Sequence, residues 1–376
     1  MKFVVSSTEL LSHLQSVSRV ISSKNTLPIL DNFLFSLSGS ELEITASDLE
    51  TTLITKITLE NASEDGKIAV PAKILGDTLK EFPEQPLSFE INTSNMSVVI
   101  SSENGQFTVV GQNGDEFPQM AKIKDDEKTE MDLDSELLLT GISKALFATA
   151  DDELRPVMNG IFLEITEDNL TFVASDAHKL VRYKRMDGKG ASSASFILPK
   201  KPASLLKNIL PKQDSPVKVE FDDKNASFIL TDYTLVCRLV EGNYPSYNSV
   251  IPADNPNKLT IGRQELQNSL KRVSVFSNQA SNLVKLKLTG NQLTVSAQDI
   301  DFSISAYERL NCQYDGDDME IGFKSTFMIE ILANLSTDDI VIELSDPTRA
   351  GLILPTPSEN ENEDVLMLLM PMMINT

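Results

Sequence analysis

The chain has 376 residues, 41 % apolar and 23 % charged, with a net charge of −22, the make-up of a folded protein of two or three domains. Its longest apolar runs, such as Val365 to Met373, fall short of the roughly 20 residues a membrane-spanning helix needs. The N-terminus MKFVVSSTELLSHLQ lacks the apolar core and cleavage site of a secretory signal, so a cytoplasmic protein without membrane contact is expected. 

The first predicted element is a helix, STELLSHLQSVSRVI, opening at Ser7 with Leu10, Leu14, Val17 and Ile21 on one face. A strand follows, LEITASD at 42–48, alternating in polarity and ending in an Asp suited to a turn. A second helix starts near Pro71 (PAKILGDTLKEF), and short strands come next at 87–91, 96–101 and 107–111, before Phe117-Pro118. After the acidic stretch KIKDDEKTEMD, read as a connector, the same order returns. A helix opens at Asp134 (DSELLLTGISKALFAT, with Leu138, Ile142 and Leu146), a strand runs LTFVASD at 170–176, and a second helix starts near Pro199 (PKKPASLLKNIL). Strands at 217–221 and 226–231 lead to Tyr244-Pro245 and a second expected connector, IPADNPNK. The third pass holds a helix from Gly262 with Leu266, Leu270 and Val273, a strand LTVSAQD at 293–299, a helix FKSTFMIEILANL from Phe323, a strand at 340–344, and Met370-Pro371.

Three marks therefore recur in the same order, 123 to 129 residues apart: the helix with its Glu-Leu pair, the strand ending in Asp, and an aromatic or Met followed by Pro. Domains are placed at 1–124, 125–250 and 251–376. Each has two helices and two groups of short strands, which predicts α+β architecture with helices on one face of antiparallel sheets. 

The six helix segments together carry a net charge of +6, leaving −28 elsewhere. A mildly basic helical face on an otherwise acidic chain could meet nucleic acid with one surface and repel it with the rest. Weak charge without base-reading groups supports contact lacking sequence preference. A domain of this size is roughly 35 Å wide; three in a triangle leave a hole of about 5 Å, and six in a hexagon leave about 35 Å. Duplex DNA is about 20 Å wide. One chain cannot encircle it, but a closed head-to-tail pair of chains could.

The stretches TLPIL (26–30), LTFVASDAHKL (170–180), EGNYPSYNSVIP (241–252) and LLMPM (368–372), with the threefold layout, resemble the β subunit of bacterial DNA polymerase III, the DNA sliding clamps. The resemblance covers essentially the whole chain. It implies a ring-shaped homodimer of three-domain chains with helices lining the hole. It also implies a non-enzymatic processivity factor, opened by a clamp loader, that tethers the replicative DNA polymerase to duplex DNA without needing a cofactor. A pocket for the clamp-binding peptides of that and other partners would be formed by Met158, Ser175, Ala177, His178, Lys179, Leu180, Pro245, Val250, Leu368, Met370, Pro371 and Met372. Met and Leu suit an adaptable groove of this kind. The family commonly has Gly and Arg where this chain has Ala177 and Lys179, and Lys lacks the planar fork of Arg. Residues 373–376 run past the family's usual end. DNA contacts carry over to Lys24, Lys73 and Arg155, although Pro156 and Val157 stand where some members have aromatics. The dimer contact would pair Phe107 and Val109 of one chain with Val275 and Phe276 of the other.

Two other classes are weighed beside this one. A metal-dependent hydrolase could be imagined from Asp48, Asp176 and Asp299, but these occupy equivalent places in three separate repeats, where capping a turn accounts for them better. His13 lies on a predicted helix and reads as structural, whereas His178 reads as a pocket residue rather than a general base. No glycine-rich phosphate loop or His-Glu-x-x-His motif appears, and Cys237 and Cys312 form no ligand set, so they are expected as isolated core thiols in a reducing compartment. The other class is a repeat scaffold that binds proteins and does not encircle DNA.

Overall fold

The computed structural model describes residues 1–124, 128–356 and 360–374. They form six helices: α1 (Ser7–Val17), α2 (Ala72–Lys80), α3 (Ser135–Leu146), α4 (Lys200–Ile209), α5 (Arg263–Val273) and α6 (Ser325–Ala333). All six fall where the sequence places them. Local chemistry sets their starts. Asp134 Oδ1 accepts from the Leu137 N–H at 2.8 Å, a side-chain cap of α3. The cap of α1 is Ser6 rather than Ser7: Ser6 accepts from the Glu9 N–H, while Ser7 donates to the Pro83 carbonyl. Helix α1 buries Leu10, Leu14 and Val17. It ends before Ile21, which stays half-buried because the chain turns through a short 3-10 segment, Ser18–Val20.

The strands form four antiparallel sheets among the described residues. Clustering of close contacts divides the chain into two compact units, Met1–Leu139 with Lys201–Leu239, and Thr140–Lys200 with Val240–Thr376. None of the three borders matches a repeat boundary, because the second repeat gives strands to a sheet in each unit. In the first unit a nine-stranded sheet joins strands of the first and second repeats through the pair Thr51–Thr58 and Tyr233–Arg238, with Cys237 opposite Thr51. A separate five-stranded sheet ends at Gln106–Val110. In the second unit a nine-stranded sheet joins the second and third repeats through Lys179–Arg185 and Glu363–Leu369. A four-stranded sheet there ends at Ile304–Asn311.

Alternating strands bury one face. Leu42, Ile44 and Ala46 of Glu41–Ser47 are fully buried, as are Val98 and, nearly so, Ile100 of Ser97–Ser101. Leu170–Ser175, in the interior of its sheet, is buried along its whole length. Phe3 stacks on Phe89 at 4.8 Å between ring centres, with Phe35 tilted against both; each such burial stabilises by about 1.5–3 kcal/mol. 

Both expected connectors are more ordered than their composition suggests. Asp125, Asp126 and Glu127 lie outside the described residues, but Thr129–Leu133 is a strand paired with Val217–Phe221. In IPADNPNK, Asn255 is buried and donates to the Glu343 and Ala350 carbonyls, and Asn257 opens a strand. Cys237 is a buried thiol, pushed up to about 12 by burial. Cys312 is only half-buried, so it is not the core thiol expected. No helix among the described residues is long and apolar enough to cross a membrane.

Candidate functional site

The pocket expected around SDAHKL grows from a tight turn. After the strand Leu170–Ser175, Asp176 Oδ1 accepts from the N–H groups of His178 (2.9 Å) and Lys179 (2.8 Å). Ser175 Oγ donates to the Lys179 carbonyl and accepts from the Ala177 N–H. This geometry puts Ala177 at φ +73°, the left-handed region that glycine enters without a Cβ clash. The preference for Gly noted for this position thus has a backbone cause.

The chain returns as the strand Lys179–Arg185 and pairs with Glu363–Leu369, setting Lys179 opposite Leu369 and Leu180 opposite Leu368. Past that strand, the Met370 N–H donates to the His178 carbonyl, and the Met372 N–H donates to the Gly322 carbonyl, both at 2.8 Å. Gly322 is required there: a Cβ would stand 2.8 Å from the Met372 carbonyl oxygen and 3.0 Å from Ile374. The tail is thereby held beside the turn. Asn375 and Thr376 lie outside the described residues.

Beneath the turn is an apolar floor of Val173, Leu180, Tyr247, Ala350, Leu352, Leu366 and Leu368, flanked by Phe162, Tyr244, Ile251 and Leu354. Phe162 and Tyr244 stack at 4.9 Å, and the Tyr247 hydroxyl donates to Glu164. Ser175, Ala177, His178, Lys179, Leu180, Leu368, Met370 and Met372 are brought together by hydrogen bonds and strand register. Pro245 and Val250 flank Tyr244, Tyr247 and Ile251, and Pro371 is carried between Met370 and Met372. Met158 is buried at the end of the short 3-10 segment Pro156–Met158, just before the strand Gly160–Ile165 that carries Phe162. The floor residues are buried, whereas Ala177, His178, Pro245, Val250 and Met370 are exposed at the rim.

Lys179 is not at the rim. It is 5 % exposed, and its ammonium pairs with Asp176 Oδ2 (2.8 Å) and Glu330 Oε2 (3.2 Å) and sits 4.1 Å from the centre of the Phe327 ring. Burial pushes the Asp176 carboxyl upward, but the Lys179 ammonium and the two turn N–H groups outweigh it and hold it below the usual range. His178 stacks on Phe327 at 6.0 Å. Sequence reading missed Phe327, Lys324, Tyr247 and Phe162 as pocket neighbours; only the apolar character of the FKSTFMIEILANL helix hinted at the first.

Asp48, Asp176 and Asp299 each accept from two N–H groups of their own turns, as expected of capping residues. The described residues hold no group of three or more His, Cys, Asp or Glu able to grip a metal. His13 bonds Thr55 and stacks on Tyr233, and burial lowers its pKa against the opposing charges of Asp232 and Glu9. Asp232 is thus an acid close in space that the sequence order concealed.

Among the helix-borne cations, several are engaged: Lys80 with Asp77, Arg272 with Glu308, Lys200 with Asp151, and Lys201 with Asp48. Lys24 and Lys73 are exposed and make no ion pair among the described residues, and the same holds for Arg19, Lys207 and Lys271, which the sequence reading counted only as charge. Arg155 differs. Its Nε donates to Asp152 at 2.8 Å in an acidic loop.

Of the four residues assigned to a dimer contact, two lie on an open sheet edge and two in an exposed turn. Phe107 and Val109 belong to the edge strand Gln106–Val110, where Val110 is also exposed. Val275 and Phe276 are exposed in the turn after α5. The edge strand Ile304–Asn311 adds exposed Ile304 and Tyr307, and the loop before it adds Ile300 and Phe302.

Residues 1–121, 132–246 and 248–373 match the family models of the N-terminal, central and C-terminal domains of the DNA polymerase III beta subunit. A beta sliding clamp of Pseudomonas aeruginosa is 28 % identical over 99 % of this chain and 100 % of its own length. One from Escherichia coli K12 is 28 % identical over 96 % and 97 % of the two chains. A solved sliding clamp structure from Pseudomonas aeruginosa superposes with a TM-score of 0.93 at 26 % identity, covering both chains completely. Three clamp domains in one α+β chain, matched along nearly its whole length, show that this chain belongs to the DNA polymerase III beta subunit family, the DNA sliding clamps.

Proposed function

We propose that two copies of this chain close head to tail into a ring around duplex DNA, and that the pocket beside Ala177 and His178 holds peptides of the proteins the ring tethers. The observation that carries the reading is the inequality of the sheets. Two have nine strands, and the other two stop at five and four. Their free edges, Gln106–Val110 and Ile304–Asn311, carry Phe107, Val110, Ile304 and Tyr307 in solvent. An open apolar edge is a template for pairing with another chain. A five-stranded edge meeting a four-stranded one across two copies would give a nine-stranded sheet like the others, and a heterologous contact of this sort closes rings.

On this reading the boundaries at 124/125 and 250/251 mark three ring segments per chain. Arg19, Lys24, Lys73, Lys207 and Lys271 supply a weak positive surface for DNA, with Arg155 contributing less because Asp152 already engages it. The partners are a clamp loader, the replicative DNA polymerase and other proteins bearing a clamp-binding peptide, in the cytoplasm where DNA is copied. The ring acts by topology and needs no catalytic group.

Retention on nicked circular DNA tests it. The loaded protein is expected to stay on circles and to slide off once they are linearised, and Phe107→Asp is expected to abolish retention and halve the solution mass. Equal retention on both DNAs, or a strict monomer at micromolar concentration, would overturn the ring.

A further inference from the structure

Helix α2 has a gap in its side. It buries Ala72, Leu75 and Leu79, and Gly76 stands among them, half-buried, in the helix interior. Gly weakens a helix interior more than any residue but Pro, so its place there calls for a spatial reason. A Cβ built on Gly76 meets nothing within 4 Å. Close packing is therefore not the reason, and the missing side chain leaves open space. The third repeat shows the alternative. Helix α6 buries the matching positions Ser325, Met328 and Leu332, and where α2 has Gly76 it carries Ile329, half-buried.

The space is a cleft of about 640 Å³ between α1 and α2, a size usual for small-ligand sites. Leu11, Leu14, Ile21 and Phe33 give it an apolar floor, with Leu14 and Phe33 fully buried beneath. The charges at its rim are unequal. Asp77 is paired with Lys80 at 3.0 Å, and Asp31 accepts from the Asn25 side-chain amide at 2.7 Å. Lys73 lines the rim exposed and makes no ion pair among the described residues. Arg19 and Lys24, next in sequence to the rim residues Ser18 and Ser23, are also exposed and make none. An apolar hollow thus opens beside uncompensated positive charge.

We propose that this cleft binds a small anionic amphiphile. Its apolar body inserts beside Gly76, in place of the side chain that α2 lacks, and its acidic group lies against Lys73. Burial of the body against Leu11, Leu14 and Phe33 supplies most of the affinity. The acidic group adds a smaller preference, because solvent screens the Lys73 ammonium. The cleft lies in the first compact unit and the pocket beside Ala177 in the second, and the proposal does not depend on ring closure.

Fluorescence titration of the full chain tests this with anilinonaphthalene sulfonate and with its uncharged analogue, phenylnaphthylamine. Gly76→Phe, which fills the cleft, is expected to weaken both dyes on the order of tenfold or more. Gly76→Ala is expected to keep both within about threefold and to raise the melting temperature, since Ala is the better helix former; thermal melts also establish that the Phe variant folds. Lys73→Gln is expected to weaken the sulfonate about threefold and leave the neutral dye unchanged. Dye binding that Gly76→Phe leaves intact belongs to other apolar surfaces and overturns the site, as does a failure of both dyes to bind. If Gly76→Phe removes binding but Lys73→Gln affects both dyes alike, the preference for an anion is overturned.

Discussion

The turn after the strand Glu41–Ser47 and the turn after Leu170–Ser175 share one construction. In each, a Ser hydroxyl accepts the N–H two residues on, and an Asp carboxylate caps two further N–H groups. Leu49 and Ala177, which follow the Asp, lie at φ +77° and +73°. A segment distant in sequence even closes both in the same way: the Arg238 N–H donates to the Glu50 carbonyl and the Met370 N–H to the His178 carbonyl, each at 2.8 Å. The side chains differ. Glu50 and Arg238 pair with each other at 3.9 Å over the first turn, whereas His178 and Met370 leave an apolar rim over the second. The caps differ too: Lys201, partly exposed, pairs with Asp48, and the buried Lys179 pairs with Asp176. One backbone device, repeated, becomes a charged surface in one place and an apolar rim in the other.

The largest expected contrast lies in these lysines. Lys179→Ala leaves Asp176 partly buried without its partner and is expected to cost about 3 kcal/mol. Lys201→Ala, screened by solvent, is expected to cost about 1 kcal/mol or less. Urea midpoints of the two variants measure the difference, and equal shifts would show that the two turns are energetically alike.

An intermediate effect is expected with acid. The folded pKa of Asp176 lies below its unfolded value of about 3.9, so the unfolded chain binds the proton more readily. Its stabilising contribution is complete well above pH 4 or so and is lost as pH falls through the folded pKa. Asp176→Asn is therefore expected to flatten the fall in urea midpoint between about pH 5 and pH 2. An unchanged slope would mean that other carboxylates set the acid limit.

The smallest effect concerns the left-handed residues. Ala177→Gly and Leu49→Gly relieve about 1 kcal/mol of strain and give back part of it through the freer unfolded chain. A net stabilisation of roughly 0.5 kcal/mol is expected at each site, with peptide affinity unchanged for Ala177→Gly. Destabilisation at both would show that the side chains of Leu49 and Ala177 matter more than their φ.

Much of this was legible before folding because it is local. Alternation at 42–48 and 170–176 foretold the strands, and the Asp at the end of each foretold a capped turn. Apolar spacing foretold the first helix of each repeat. The misreadings were also of one kind. IPADNPNK looks like a linker, yet Asn255 is held by carbonyls some ninety residues away. Lys179 looks like a rim residue, yet Glu330 and Phe327 draw it inward. Nothing within a few positions of either residue carries that information.

By itself, the order of residues determined the threefold repeat, the α+β alternation, the Asp-capped turns and the excess of positive charge on the helices, since periodicity, capping and composition act over a few residues. Tertiary structure decided which sheets run to nine strands and which stop short, that His178, Phe327 and Met370 meet, and that Lys179 is neutralised by Asp176 and Glu330. Those outcomes depend on strand pairing and side-chain contacts between positions 150 to 190 residues apart, such as Lys179 with Leu369 and with Glu330, and short-range pattern carries no record of them.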